Sequence, residues 1–316
     1  MSAGDSVSER LGSVGVVAEY EVRRSLSKKA LLLGVALALL PLAVAFIVKY
    51  YTRPEHLGST RLLWASMAGL DPIAAMNALL NPAASLNAVS FWWLIVVLFA
   101  GDLLASDARD GAMRLLLSKP LTRGEYLAGK LLGVLAMLTL VALLGMGGVV
   151  GASYILAGSQ EHVILAPVIG VLLVVGGLPL LLVTALVGLR SRSPLSGFIF
   201  GIIIYFVFQM ITSFLGIYLA ITGHATGIID GGYRASILLP FSGGKSLATL
   251  YYLLHAYGKT LTTPMTGAGI EIGGHMVSLG GTLHVDQLYF ETLASILVWS
   301  LALLAISYLI IRRMDL

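Results

Sequence analysis

The chain contains no cysteine. Disulfides, thiolate zinc sites and cysteine nucleophiles are therefore excluded, and nothing follows about compartment. Charge is scarce as well. Asp, Glu, Lys and Arg make up 11% of the 316 residues, whereas soluble domains carry about a quarter. His-Glu-x-x-His and Gly-x-Ser-x-Gly do not occur, and no apolar run holds paired aspartates. A phosphate loop, Gly-x4-Gly-Lys-Ser/Thr, is missing too. The nearest stretch, Leu239 to Ser246 ("LPFSGGKS"), has Leu239 where the first glycine belongs. The chain thus has no machinery of its own for hydrolysing ATP.

What is present is apolar. Hydrophobic residues make up 58% of the chain, more than a water-soluble core of this size can hide. A bilayer core about 30 Å thick takes about 20 apolar residues of helix. Five runs qualify: Ala30 to Val48, Leu131 to Leu156, Val163 to Leu189, Leu195 to Ile221 and Leu293 to Ile311. A sixth, Val89 to Leu104, is shorter, with Trp92 and Trp93 placed to suit an interfacial belt. Pro167, Gly176, Gly177 and Pro179 mark the run from Val163 as one bent span. The first apolar run begins too late and is too long for a signal peptide. The expected fold is an all-α polytopic membrane protein of six transmembrane helices, with a small α+β extracellular cap between the last two.

Lysine and arginine set the orientation. With the N-terminus in the cytoplasm, the inner segments hold Arg10, Arg23, Arg24, Lys28, Lys29, Arg109, Arg114, Lys119, Arg123, Lys130, Arg190, Arg192, Arg312 and Arg313. The longer outer segments hold only Lys49, Arg53, Arg61, Arg234, Lys245 and Lys259. Both termini are then cytoplasmic and the protein sits in the cell membrane. All six histidines fall outside, scattered without metal-ligand spacing, so no metal site is expected.

The organisation follows. Residues 1–29 form a cytoplasmic N-terminus. Val14, Val17, Ala18 and Val22 share one face there, as in a helix lying on the membrane surface. Residues 30–221 hold the first five spans and a cytoplasmic loop, 105–130. Residues 222–291 form the outer cap segment, and 292–316 the last span and C-terminus. In the cap segment Leu247, Leu250, Tyr251 and Leu254 line one helical face. Two Gly-Gly pairs then separate short β-prone runs between Gly269 and Asp286, which reads as a three-strand antiparallel meander. Gly147 with Gly151 and Gly197 with Gly201 form Gly-x3-Gly pairs for close helix packing, within one chain or in a dimer.

The loop "SDARDGAMRLLLSKPLTRGEYLAGK" is the most informative stretch. It joins charges to an apolar patch at Met113 and Leu115 to Leu117, breaks at Pro120, and restarts at Thr122, which with Glu125 forms a capping box. The physical reading is a helix, a turn and a second helix entering the membrane. In order, Asp107, Gly111, Leu115 to Leu117, Ser118, Pro120, Arg123, Gly129 and Lys130 resemble the signature of the type-2 ABC exporter permeases. That family often has Glu at the place of Asp107 and Thr at the place of Ala112. The surface helix, six spans and large outer segment are similar to that family too.

The resemblance implies a membrane-spanning permease subunit of an ATP-driven ABC exporter, and not an enzyme. Asp107, Arg109, Asp110, Gly111, Arg114, Lys119, Pro120 and Arg123 would form the surface that couples to a separate ABC ATPase subunit, itself a dimer. No cofactor is expected in this chain; ATP and Mg would bind the partner. The usual count of about twelve spans, which the resemblance alone supplies, implies a second copy of this chain or a sister permease. Membrane lipid is an expected neighbour, nucleic acid is not. The Ser-Gly-Gly before Lys245 echoes the signature of ABC ATPases but falls on the outer side, away from ATP. Two other readings stand beside this one. A membrane-embedded peptidase or lipid-modifying enzyme would draw on Thr184, Tyr205, Gln209, Thr212 and Ser213, which lack a nucleophile–base arrangement. An ion-coupled secondary transporter would need buried carboxylates, and Asp102 is the one carboxylate within a run.

Overall fold

The structure is a computed structural model, and it describes residues 3–27, 29–51, 68, 92–111, 121–241, 244–262, 269–272, 275–278 and 282–313. Its helices are α1 (Ala3–Leu26), α2 (Lys29–Tyr51), α3 (Trp92–Leu103), α4 (Ala105–Asp110), α5 (Arg123–Ala157), α6 (Ala166–Ser191), α7 (Pro194–Ile221), α8 (Ile228–Leu238), α9 (Lys245–Tyr257) and α10 (Val285–Arg313). A short 3-10 turn, Val163–Leu165, leads into α6.

Four helices among the described residues are long and apolar enough to cross a membrane: α5, with the 3-10 turn plus α6, α7 and α10. A fifth span arises if residues 12–26 of α1 and 31–47 of α2, which meet at a 69° bend, count as one. The expectation of six spans therefore stands only in its coarser form. The apolar run beginning at Val89 appears as α3, twelve residues or about 18 Å at 1.5 Å per residue. That length does not cross a hydrocarbon core by itself.

Helix α6 is the centre of the bundle. Of its most apolar stretch 72% is buried, against 6% for α7, and it packs against α3, α5, α7, α9 and α10. Pro167 sits in its first turn, where the missing N–H costs nothing, and Pro179 lies within one continuous helix. Trp92 turns into the bundle instead of outward. It is buried and donates from Nε1 to the Leu173 carbonyl on α6 at 2.9 Å. Trp93 stacks on Tyr205 of α7 at 4.3 Å. The interior of the bundle offers each indole a partner, which lipid would not.

Glycine permits the closest helix contacts, because only its missing Cβ lets backbones meet. A Cβ on Gly197 would lie 3.0 Å from the Cα atoms of Gly101 and Gly188, so α3, α6 and α7 converge there. A Cβ on Gly201 would lie 2.6 Å from Val97 and 2.8 Å from Thr184. The Gly147 and Gly151 pair differs. Gly147 has nothing within 4 Å among the described residues, and Gly151 makes only an ordinary contact with Leu42. On α5 the tight positions are Gly129 and Gly133, against α1, with Gly145 and Gly148 facing α2 less closely. Among the described residues the closest approaches of α5 to its neighbours are therefore at Gly129 and Gly133.

Between α7 and α10 lie α8, α9 and four short strands. Strand β2 (Gly269–Ile272) pairs antiparallel with β3 (His275–Ser278) in a register that brings Ile272 opposite His275, a two-residue connection. Strand β4 (Thr282–His284) does not continue this hairpin. It pairs instead with β1 (Thr260–Thr262), and the buried Leu261 and Leu283 lie opposite each other. The expected three-strand meander is thus two separate two-stranded sheets. The physical reason is local. β4 is only three residues long and passes directly into α10, so it pairs where its single inward residue finds an apolar partner.

Candidate functional site: a buried ion cluster at the start of α5

Polar chemistry gathers where α1, α4 and α5 meet. Helix α5 has 35 residues, more than the about 20 that span a hydrocarbon core, so one end projects beyond it. The first turns carry Arg123, Glu125 and Lys130 and form that end. Thr122 caps α5: its Oγ1 accepts from the Glu125 N–H at 3.2 Å, and Glu125 Oε2 accepts from the Thr122 N–H at 2.8 Å. The capping box expected from the sequence is present. Arg123 donates to the Ile311 carbonyl at 2.9 Å and also to that of Arg312. A cation there meets the negative end of the α10 dipole and ties the start of α5 to the end of α10.

Four charges lie inside this junction. Lys130 Nζ is 2.5 Å from Glu21 Oε2 of α1 and 2.7 Å from Asp107 Oδ2 of α4. Arg24 pairs with the other Asp107 oxygen and donates to Ser106 Oγ at 2.7 Å. Tyr126 donates to Asp107 Oδ2 at 2.7 Å. Lys130, Glu21 and Asp107 side chains are at most 1% exposed, and Arg24 is 22% exposed. Two cations and two anions balance, which is the condition for burying charge at all. Burial alone would raise the Asp107 carboxyl, but Lys130, Tyr126 and Arg24 together hold it below the usual carboxylate range.

Glycine again sets the approach. A Cβ on Gly129 would meet Val17 at 2.6 Å, and one on Gly133 would meet Glu21 at 2.7 Å. Val17, Glu21 and Ser25 are buried on one face of α1, so Val14, Val17, Ala18 and Val22 flank a polar stripe turned toward α5. Sequence reading saw the apolar positions and missed Glu21, Arg24 and Tyr126. Their signal was i, i+3, i+4 spacing: 17, 21, 24 and 25 share a helical face.

The expected coupling residues divide. Asp107 is buried in the cluster instead of facing outward. Arg109 and Asp110 are exposed and paired at 2.8 Å. Gly111 ends α4 with φ 72°, in the left-handed region, and nothing described lies within 4 Å of where its Cβ would be. Arg123 turns inward to α10. Arg114, Lys119 and Pro120 fall outside the described residues. Asp102 is half-buried in the last turn of α3, and its carbonyl accepts from Ser106 Oγ at 2.9 Å.

The enzyme candidates show no nucleophile–base pair among the described residues. Thr184 is buried against Gly201, Tyr205 stacks on Trp93, and Ser213 donates back to the Gln209 carbonyl.

A bundle of long apolar helices, with a cluster of buried ion pairs at the start of α5, defines a multi-pass membrane protein. The chain belongs to the ABC-2 family transporter proteins, whose family profile matches residues 16–316. It is also similar to the probable ABC transporter permease protein NosY of Pseudomonas aeruginosa. The two are 26% identical over 261 residues, which cover 81% of this chain and 88% of the relative. The resemblance read from the loop motif is thereby shown, and the chain is a permease of the ABC transporter class.

Proposed function

We propose that this chain is the membrane-spanning subunit of an ATP-driven exporter, with hydrolysis in a separate ATPase dimer that docks on the loop between α4 and α5. The observation that carries the reading is the Asp107–Lys130–Glu21–Arg24 cluster. It joins both ends of that loop to α1 and α5, so a push on the loop reaches the long helix directly. Arg109 and Asp110 are exposed and charged at the end of α4, beside Gly111, which suits a docking surface. Arg114, Lys119 and Pro120 complete the proposed contact. Two copies of this chain, or one with a sister permease, make the working unit. ATP and Mg act in the partner, where the subunit's closure supplies the force.

The test is a reconstituted complex of the full chain with its ATPase. Exposed single charges contribute about 0–1 kcal/mol each, so the variants are Gly111→Trp and the double Arg109→Glu, Arg114→Glu. Both are expected to insert normally yet lose stimulated ATP turnover and transport. Full stimulation and ATPase pull-down by both would remove the loop from the mechanism.

A further inference from the structure

A cavity of about 280 Å3 lies between α7, α8 and α9, well away from the ion cluster. Close glycine contacts build its walls. A Cβ on Gly231 of α8 would lie 2.2 Å from the Gly216 carbonyl oxygen of α7. Gly244, with φ 94°, sets the start of α9 against α6, where its Cβ would meet the Leu173 carbonyl oxygen at 2.2 Å. Neither position accepts a side chain. The first residues of both α8 and α9 therefore border the same space.

Besides Ile228 and Ile229, the lining holds several hydrogen-bond donors and one cation. Lys245 and Ser246 open α9, whose N-cap Gly244 offers no side-chain cap, so the first N–H groups carry the positive end of the helix dipole toward the cavity. Among the described residues Lys245 makes no ion pair, and no carboxylate lines the cavity. Burial alone pushes its ammonium below the ordinary lysine range. Thr249, one turn further, is 4% exposed, and its Oγ1 has no hydrogen-bond partner among the described residues. A buried hydroxyl left unpaired costs about 1–3 kcal/mol, and a helical threonine can usually bond back to the preceding turn. Gln209 and Thr212 face these groups from α7.

A desolvated cation, a helix N-terminus and an unpaired buried hydroxyl on one wall ask for an anion with several acceptor oxygens. We propose that this cavity binds a phosphate group, held by Lys245, Ser246 and Thr249, most favourably as the headgroup of a membrane phospholipid. Helix α7 favours the lipid source: Phe206, Met210 and Phe214 stand 53%, 59% and 66% exposed on it, close in sequence to the lining residues Gln209 and Ser213, and offer acyl chains apolar contacts. The site is independent of the docking reading, because it requires no ATPase.

The experiment uses the purified full chain in neutral detergent and native mass spectrometry. Short-chain phosphatidylglycerol, short-chain phosphatidylcholine and inorganic phosphate are titrated separately. The expected result is retention of phosphatidylglycerol in preference to phosphatidylcholine. Lys245→Met weakens it about tenfold, a ratio within what one charge-assisted contact supplies. Thr249→Val weakens it less, and Lys245→Arg keeps most of it. Binding of inorganic phosphate alone, lost in Lys245→Met, would support the phosphate site and assign its source to a free anion. Wild-type binding of every probe by folded Lys245→Met and Thr249→Val would overturn the proposal. Lys245→Arg shows whether a loss comes from charge or from misfolding.

Discussion

Asp107 Oδ2 lies 2.7 Å from Lys130 Nζ, with both side chains sealed from solvent. These residues bracket the loop between α4 and α5, and they are the first acid and the last cation of the family motif. Their contact explains the motif's outer limits. The acid closes the near end of the loop and the cation the far end, and with Glu21 and Arg24 they keep the buried charge of the cluster balanced.

That pairing can be measured. Removing one partner of a buried pair costs about 3–5 kcal/mol, because a charge is left uncompensated. Asp107→Asn and Lys130→Met are each expected to lower the unfolding midpoint of the detergent-solubilised chain. The double variant should lose clearly less than the sum, with a coupling of about 0.5–3 kcal/mol. Strict additivity in a denaturant-unfolding cycle would mean that the two charges do not interact.

The glycines of α5 offer a second test. Gly129→Leu must displace Val17 and with it α1, an overpacking cost of about 1–3 kcal/mol. Gly147→Leu meets no described residue within 4 Å of its Cβ and is expected to change stability by no more than about 0.5 kcal/mol. Thermal unfolding of both variants in the same detergent compares them directly. Equal losses would show that α5 packs through the Gly147 face.

The membrane orientation expected from charge placement can be checked on this cysteine-free chain. Single cysteines are introduced as Ser118→Cys and Thr266→Cys. An impermeant thiol reagent applied to intact cells is expected to label the second and not the first. The reverse pattern would invert the topology and move the proposed docking loop to the wrong side.

The sequence by itself determined the medium and the class. Apolar runs of about 20 residues have no other stable home than a bilayer, and the loop motif carried the family. It also specified the capping box at Thr122 and Glu125 and the two-residue hairpin between β2 and β3, because both depend on neighbours a few residues apart. Only the tertiary structure decided what depends on which surfaces meet. It sent Asp107 inward to Glu21, Arg24 and Lys130, although its sequence neighbours Arg109 and Asp110 stay outside. It paired β4 with β1 across the length of the intervening hairpin. It put the closest described approaches of α5 at Gly129 and Gly133, and it gathered Gln209, Thr212, Lys245 and Thr249 around one cavity. Local patterns report period and capping, whereas burial, charge pairing and close glycine contact are properties of two chain segments at once, and one-dimensional spacing does not name the second segment.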